Sequence, residues 1–137
     1  MTGAASRRKG HDFERAFCRW VREELGIESF GRNLKQYGTA QEGDTDPLAG
    51  FLPECKAYSR ERQGRPYKRD AWQQACTQAK RKGLAPLVIW KLPGTRGCDF
   101  MAMLPDPEAA GADWSLNFEY RKEVEPPMLA LILRERL

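Results

Sequence analysis

The sequence predicts a domain of the α/β or α+β class built on one sheet, and three observations carry that prediction. Residues 12–25 and 70–82 place apolar side chains at helical spacing, and each run stops at a glycine. Residues 51–58, 87–91 and 99–104 are short extended-looking runs set between Gly- and Pro-containing turns. The runs follow an α-β-β-α-β-β order over 137 residues, one domain's length, and 41% of the chain is hydrophobic, enough for a core without a metal or disulfide staple.

Residues 1–10 are small and basic and are expected to form a flexible arm, leaving 11–137 as the single domain. From Asp12, the residues Phe13, Ala16, Phe17, Trp20, Val21 and Leu25 recur on one helical face, and Gly26 supplies the stop. Residues 29–50 are rich in Gly, Thr, Asn and Asp and read as loop, with one short strand around Asp44. Phe51 to Tyr58 reads as extended, and residues 59–69 as a basic, turn-prone loop. Asp70 is placed to cap a second helix that runs to Lys82 and closes at Gly83. Leu87 to Lys91 and Asp99 to Leu104 form two strands joined across Pro93-Gly94. Residues 105–127 are irregular with several prolines, and Met128 to Leu137 fits a helix or a strand equally well.

Composition excludes several function classes. The longest apolar runs, Leu87–Trp90 and Met128–Leu133, fall far short of the roughly 20 residues that span a bilayer. Arg7, Arg8 and Lys9 have no apolar segment behind them, so no secretory signal is read and a cytoplasmic protein is expected. Cys18, Cys55, Cys76 and Cys98 form no close pair, and His11 is the one histidine, which excludes zinc fingers and histidine-based metallohydrolases. Metal chemistry here must run on carboxylates, and therefore on a hard ion such as Mg²⁺ or Mn²⁺. Charge is uneven: residues 1–82 carry 17 Lys/Arg against 11 Asp/Glu, residues 83–137 carry 6 against 8, and 56–82 carries nine bases against Glu61 and Asp70. A basic front interleaved with Tyr58, Tyr67 and Trp72 suits a polyanion, nucleic acid first, although a solvated basic face accounts for charge alone.

Two features carry chemistry. Glu14 falls inside the apolar arc of the first helix, where a carboxylate needs a cation, a metal or backbone donors; the plain alternative is a first-turn glutamate turned out to water. In the strand after Pro53, alternation puts Leu52, Glu54 and Lys56 on one face, with Phe51 and Cys55 on the other. A Glu and a Lys two apart can divide labour, one on a metal, the other on a water or phosphate. Twelve Glu and eight Lys give about 0.7 such pairs by chance, so the pair draws its weight from context. Asp44 lies ten residues before Glu54 across a turn, where a hairpin could return it beside Glu54, and Asp46 is a rival for the same role. In the second helix, Ala71, Trp72, Ala75 and Ala79 form the apolar stripe, bordered by Gln74 and Gln78.

Taken in order, Gly10-His11-Asp12-Phe13-Glu14-Arg15, Gly43-Asp44, Phe51-Leu52-Pro53-Glu54-Cys55-Lys56, Trp72-Gln73-Gln74-Ala75 and Pro86-Leu87-Val88-Ile89-Trp90-Lys91 make residues 7–104 resemble the PD-(D/E)XK nuclease superfamily. Within it, the chain is most similar to the small phage-type and archaeal-type Holliday junction resolvases. The resemblance implies a restriction-endonuclease-like mixed central sheet flanked by helices, with the Asp and the Glu-X-Lys on adjacent strands. It also implies phosphodiester hydrolysis dependent on Mg²⁺ (or Mn²⁺). Asp44 and Glu54 would hold the metal, Glu14 would add a carboxylate, Lys56 would orient or activate the attacking water, and Gln74 would bond a phosphate or a metal-bound water. Two departures stand out: Pro53 precedes Glu54, which requires an edge or bulged strand, and Gly43 replaces the usual proline before the aspartate. Arg7, Arg8, Lys9, Arg60, Arg62, Arg65, Lys68 and Arg69 are the expected DNA contacts. Two matched incisions in a four-way junction imply a homodimer, for which Trp114, Phe118, Tyr120 and Met128–Leu133 offer apolar surface or, alternatively, core. The rival functions are a nuclease acting on duplex or single-stranded DNA and a basic DNA-binding module without catalysis.

Overall fold

The computed structural model describes residues 3–32, 45–94, 99–106 and 118–137, with the side chains of the first helix from Arg8 onward. Its elements are α1 (Gly3–Leu25), β1 (Phe51–Lys56), α2 (Arg65–Lys82), β2 (Ala85–Lys91), β3 (Phe100–Pro105), β4 (Arg121–Val124) and α3 (Pro126–Arg136), with 3₁₀ turns at Arg60–Arg62 and Phe118–Tyr120. The strands form one mixed sheet in the order β1-β2-β3-β4: β1 runs parallel to β2, and the other two pairings are antiparallel. A parallel pair cannot be joined by a tight turn, so α2 crosses back over the sheet between β1 and β2.

The sheet is covered on both faces. Leu87, Ile89, Phe100, Ala102, Leu104 and Val124 pack with Phe13, Phe17 and Val21 of α1 and with Leu129 and Leu133 of α3. The alternate residues Val88, Trp90 and Met103 pack with Ala71, Trp72, Ala75 and Cys76 of α2 and with Phe118. This is an α/β fold with a mixed sheet flanked by three helices, as a restriction-endonuclease-like architecture requires. Among the described residues, no helix is long and apolar enough to cross a membrane, and β1 forms one edge of the sheet, where Pro53 is tolerated.

Several boundaries differ from expectation. The arm expected over residues 1–10 is, from Gly3, the opening of α1: the stretch holds good helix formers and no proline. α2 begins at Arg65 after Gly64, not at an Asp70 cap, because Pro66 sits in its first turn, where a fixed φ and a missing N–H favour initiation. Its far end is as expected, with Gly83 in the left-handed conformation (φ 68°) donating to Ala79 O and Lys80 O. The undecided segment after Met128 is helical: Leu129, Ala130 and Leu133 are buried, while Met128 and Leu131 are exposed. Phe118 is also core, whereas Trp114 lies outside the described residues.

Candidate active site

β1 brings the two key side chains to the α2 face. Glu54 pairs in register with Val88 and Lys56 with Trp90, and both β2 partners pack under α2. α2 lies close to the sheet because its inner stripe is alanine at 71, 75 and 79, each at most 1% exposed. From its flank Gln74 reaches the end of β1. Lys56 Nζ donates to Gln74 Oε1 at 2.8 Å and stands 3.6 Å from Glu54 Oε1. Glu54 is only 5% exposed, so its carboxylate sits in low-dielectric surroundings where the neighbouring ammonium counts for more than it would in water. Three of the predicted residues, twenty positions apart at the extremes, thus converge.

The two aspartates separate in role. Asp44 lies outside the described residues. Asp46 accepts from Gly31 N–H through its carboxylate at 3.0 Å and donates its own N–H to Gly31 O at 2.9 Å, so it staples the chain after α1 to the chain before β1. Arg32 and Thr45 bridge antiparallel beside that staple, and Thr45 is wholly buried. A two-residue turn precedes β1: Leu48 and Phe51 exchange both backbone bonds (2.9 and 2.8 Å) around Ala49 (φ 52°) and Gly50 (φ 86°), while the hairpin expected to return Asp44 beside Glu54 falls on residues outside those described.

Glu14 is buried, as its place in the apolar arc of the first helix predicts. α1 packs against the sheet face opposite to the one Glu54 and Lys56 share, and Glu14 Oε2 accepts from Arg32 Nε at 3.0 Å. The buried carboxylate has therefore taken the cation option. Cys18 is buried on the same helix, and burial pushes its thiol up to about 11, which makes it inert at neutral pH. Among the described residues, no three His, Cys, Asp or Glu side chains group as a metal cluster.

Between α1 and the end of β1 an open groove of about 700 Å³ is lined by Lys9, Gly10, Cys55, Lys56, Ala57, Tyr58, Ser59, Glu61 and Arg62. Arg8, Arg60, Arg62, Arg65 and Arg69 are exposed. Arg65 pairs with Glu119 and lies 5.0 Å over the Phe118 ring, and Lys68 pairs with Glu123 at 3.2 Å, so these two of the expected DNA contacts already hold intramolecular partners. Arg60 lies against the β2–β3 turn, where a side chain on Gly94 would collide with its guanidinium. The side chain of Arg7 is outside the described set.

Sequence reasoning missed Arg32 and Gln63. Arg32 is the lone described arginine of the segment after α1, and only a cation-seeking Glu14 signalled it. Gln63 Oε1 accepts from Trp90 Nε1 at 2.6 Å while its Nε2 donates to Tyr58 O and Ser59 O, which locks the chain beyond β1 onto β2. Tyr58 is held edge-on between Trp90 (5.2 Å) and Tyr67 (6.3 Å). Comparison with family models, curated proteins and solved structures returned no match to this chain.

Proposed function

We propose that the protein is a metal-dependent deoxyribonuclease of the PD-(D/E)XK type that cuts branched DNA, four-way junctions above all, as a cytoplasmic enzyme. The observation that carries this reading is the meeting of Glu54, Lys56 and Gln74 at the end of an edge strand. The donor set fits Mg²⁺ or Mn²⁺: the oxygen ligands of a buried glutamate and of Asp44, one peptide bond before the anchored Thr45. Glu54 and Asp44 would hold the ion, which when bound neutralises charge on the phosphate and makes water a better nucleophile.

The chain's own residues do the rest. Lys56 has three N–H donors; Gln74 takes one and Glu54 attracts a second, which leaves one for the attacking water or a phosphate oxygen. Gln74 positions the ammonium, and the pair keeps a positive group beside the scissile phosphate as charge builds on it. Glu14, which also holds Arg32, would add a further carboxylate to the site. A two-fold junction is met by a homodimer, for which exposed Met128, Leu131 and Leu137 offer apolar surface.

The test is cleavage of labelled four-way junction, linear duplex and single-stranded DNA side by side, in Mg²⁺ and in EDTA. Metal-dependent cutting with the junction preferred is expected. Equal cutting of junction and duplex would favour a general nuclease, and binding with no cutting in either metal would favour a non-catalytic DNA-binding module.

A further inference from the structure

The groove between α1 and the end of β1 has a wall that packing does not account for. Gly10 lies in the interior of α1, where glycine costs stability relative to alanine. A Cβ built at Gly10 would meet nothing within 4 Å among the described residues, so no neighbour there requires the glycine. What the missing side chain leaves open is the groove itself, which Gly10 lines.

The rest of the lining has one chemical character. Lys9 on the helix wall faces the same space as Lys56 and Arg62 on the other side, with Glu61 as the acidic member. Glu61 is exposed at the rim, and its carboxyl is held down chiefly by its own backbone N–H and then by the Ser59 hydroxyl. Tyr58 also lines the groove, and its ring is fixed edge-on between Trp90 and Tyr67. Cations on both walls, a fixed aromatic and a helix turn without a side chain beside open space match a sugar–phosphate strand with unpaired bases. The groove's roughly 700 Å³ is the size of a small-ligand pocket, a scale that suits a short stretch of one strand better than a double helix.

We propose that this groove binds a single DNA strand, whose backbone passes against Gly10 between Lys9 and Arg62 on its way to Lys56. The proposal rests on the nuclease reading for the identity of the polyanion, and it adds that the enzyme recognises a strand already parted from its complement. Selection of branched over linear DNA then follows from the groove and needs no base-specific contact.

The experiment uses the full chain with Gly10→Ala and Gly10→Leu. Binding of a fluorescent oligothymidylate and of a blunt duplex is measured in EDTA, alongside thermal melting. Gly10→Ala and Gly10→Leu should melt at or above the wild-type temperature, since both are better helix formers. Gly10→Leu should bind the oligothymidylate about tenfold more weakly and Gly10→Ala about threefold, with duplex affinity within about twofold of wild type. Wild-type affinity of Gly10→Leu for the oligothymidylate overturns the proposal, as does an equal loss on duplex. If the wild type never cleaves in Mg²⁺ but the binding loss appears, the groove stands and the nuclease reading falls. If the wild type cleaves while Gly10→Leu binds normally, the reverse holds.

Discussion

Lys56 and Glu54 share a contact but differ in what their removal does. Glu54→Ala takes away the proposed metal ligand and should abolish cleavage, with a loss of at least about a hundredfold, while affinity for DNA in EDTA stays within about threefold, because affinity comes from cations. Lys56→Ala should be as inactive yet bind Mg²⁺ as tightly as the wild type, since an ammonium is no ligand; titration of Mg²⁺ by calorimetry separates the two. Near-normal turnover by either variant removes the site assignment. Glu14→Gln removes the charge that Arg32 faces in a mostly buried pair and should cost about 3–5 kcal/mol, read by denaturant unfolding. Cys18, whose thiol is raised from 9 to about 11 by burial, contributes stability below about pH 9 that is lost as pH climbs towards 11, because the folded chain then holds a proton the unfolded chain has released. At pH 8, mass-spectrometric mapping after iodoacetamide should find half-buried Cys55 labelled well before Cys18. At this scale the sequence is informative wherever geometry is local. Alternation along a strand puts Glu54 and Lys56 together, and the four-residue repeat of a helix puts Gln74 beside the alanine stripe. Glu14 is legible as a carboxylate facing inward, but Arg32 is not legible as its partner, because their meeting depends on how the chain returns after α1.

Among the elements, the turn before β1 carries more strain than it needs. Ala49 has φ 52°, a conformation that side chains other than Asn and Asp rarely take, and it precedes Gly50 at φ 86° in a two-residue hairpin. Ala49→Asn supplies the Asn-Gly pair that this turn prefers and should raise the melting temperature by about 2–4 °C, as measured by circular dichroism. Ala49→Val should lower it by at least as much. Strand and helix interiors were readable from pattern, whereas helix starts were not: α2 opens at Arg65 because Pro66 acts as an initiator there, while the basic run around it reads as loop. α1 opens at Gly3 for a related reason, since charge and small size suggest an arm whereas backbone propensity permits a helix. Met128–Leu133 gives no decisive period because α3 buries one side, at Leu129 and Leu133, and leaves Leu131 54% exposed on the other.

For the molecule as a whole, binding should be electrostatic and unevenly shared among its cations. Affinity for DNA should fall about a hundredfold between roughly 50 and 200 mM salt, as expected for about four phosphate contacts. Arg62→Ala should weaken binding several-fold more than Arg65→Ala, because Arg65 is already paired with Glu119; a titration that ranks them the other way would remove the groove side from the DNA path. The two sheet faces divide the labour. One holds the larger core between α1, α3 and the strands, and the other holds Glu54, Lys56 and Gln74. The staple of Asp46 on Gly31, with Arg32 and Thr45 bridged beside it, fastens both feet of the stretch from 33 to 44 to the body of the protein. Closing a loop costs an entropy that grows only with the logarithm of its length, so a clasp at the two feet fixes Thr45 whatever the length of the chain between them. In evolutionary terms the clasp is an anchorage: a lineage, or an engineer, that altered Asp46 or Gly31 would loosen Thr45, the residue next in the chain to Asp44, without touching the site itself.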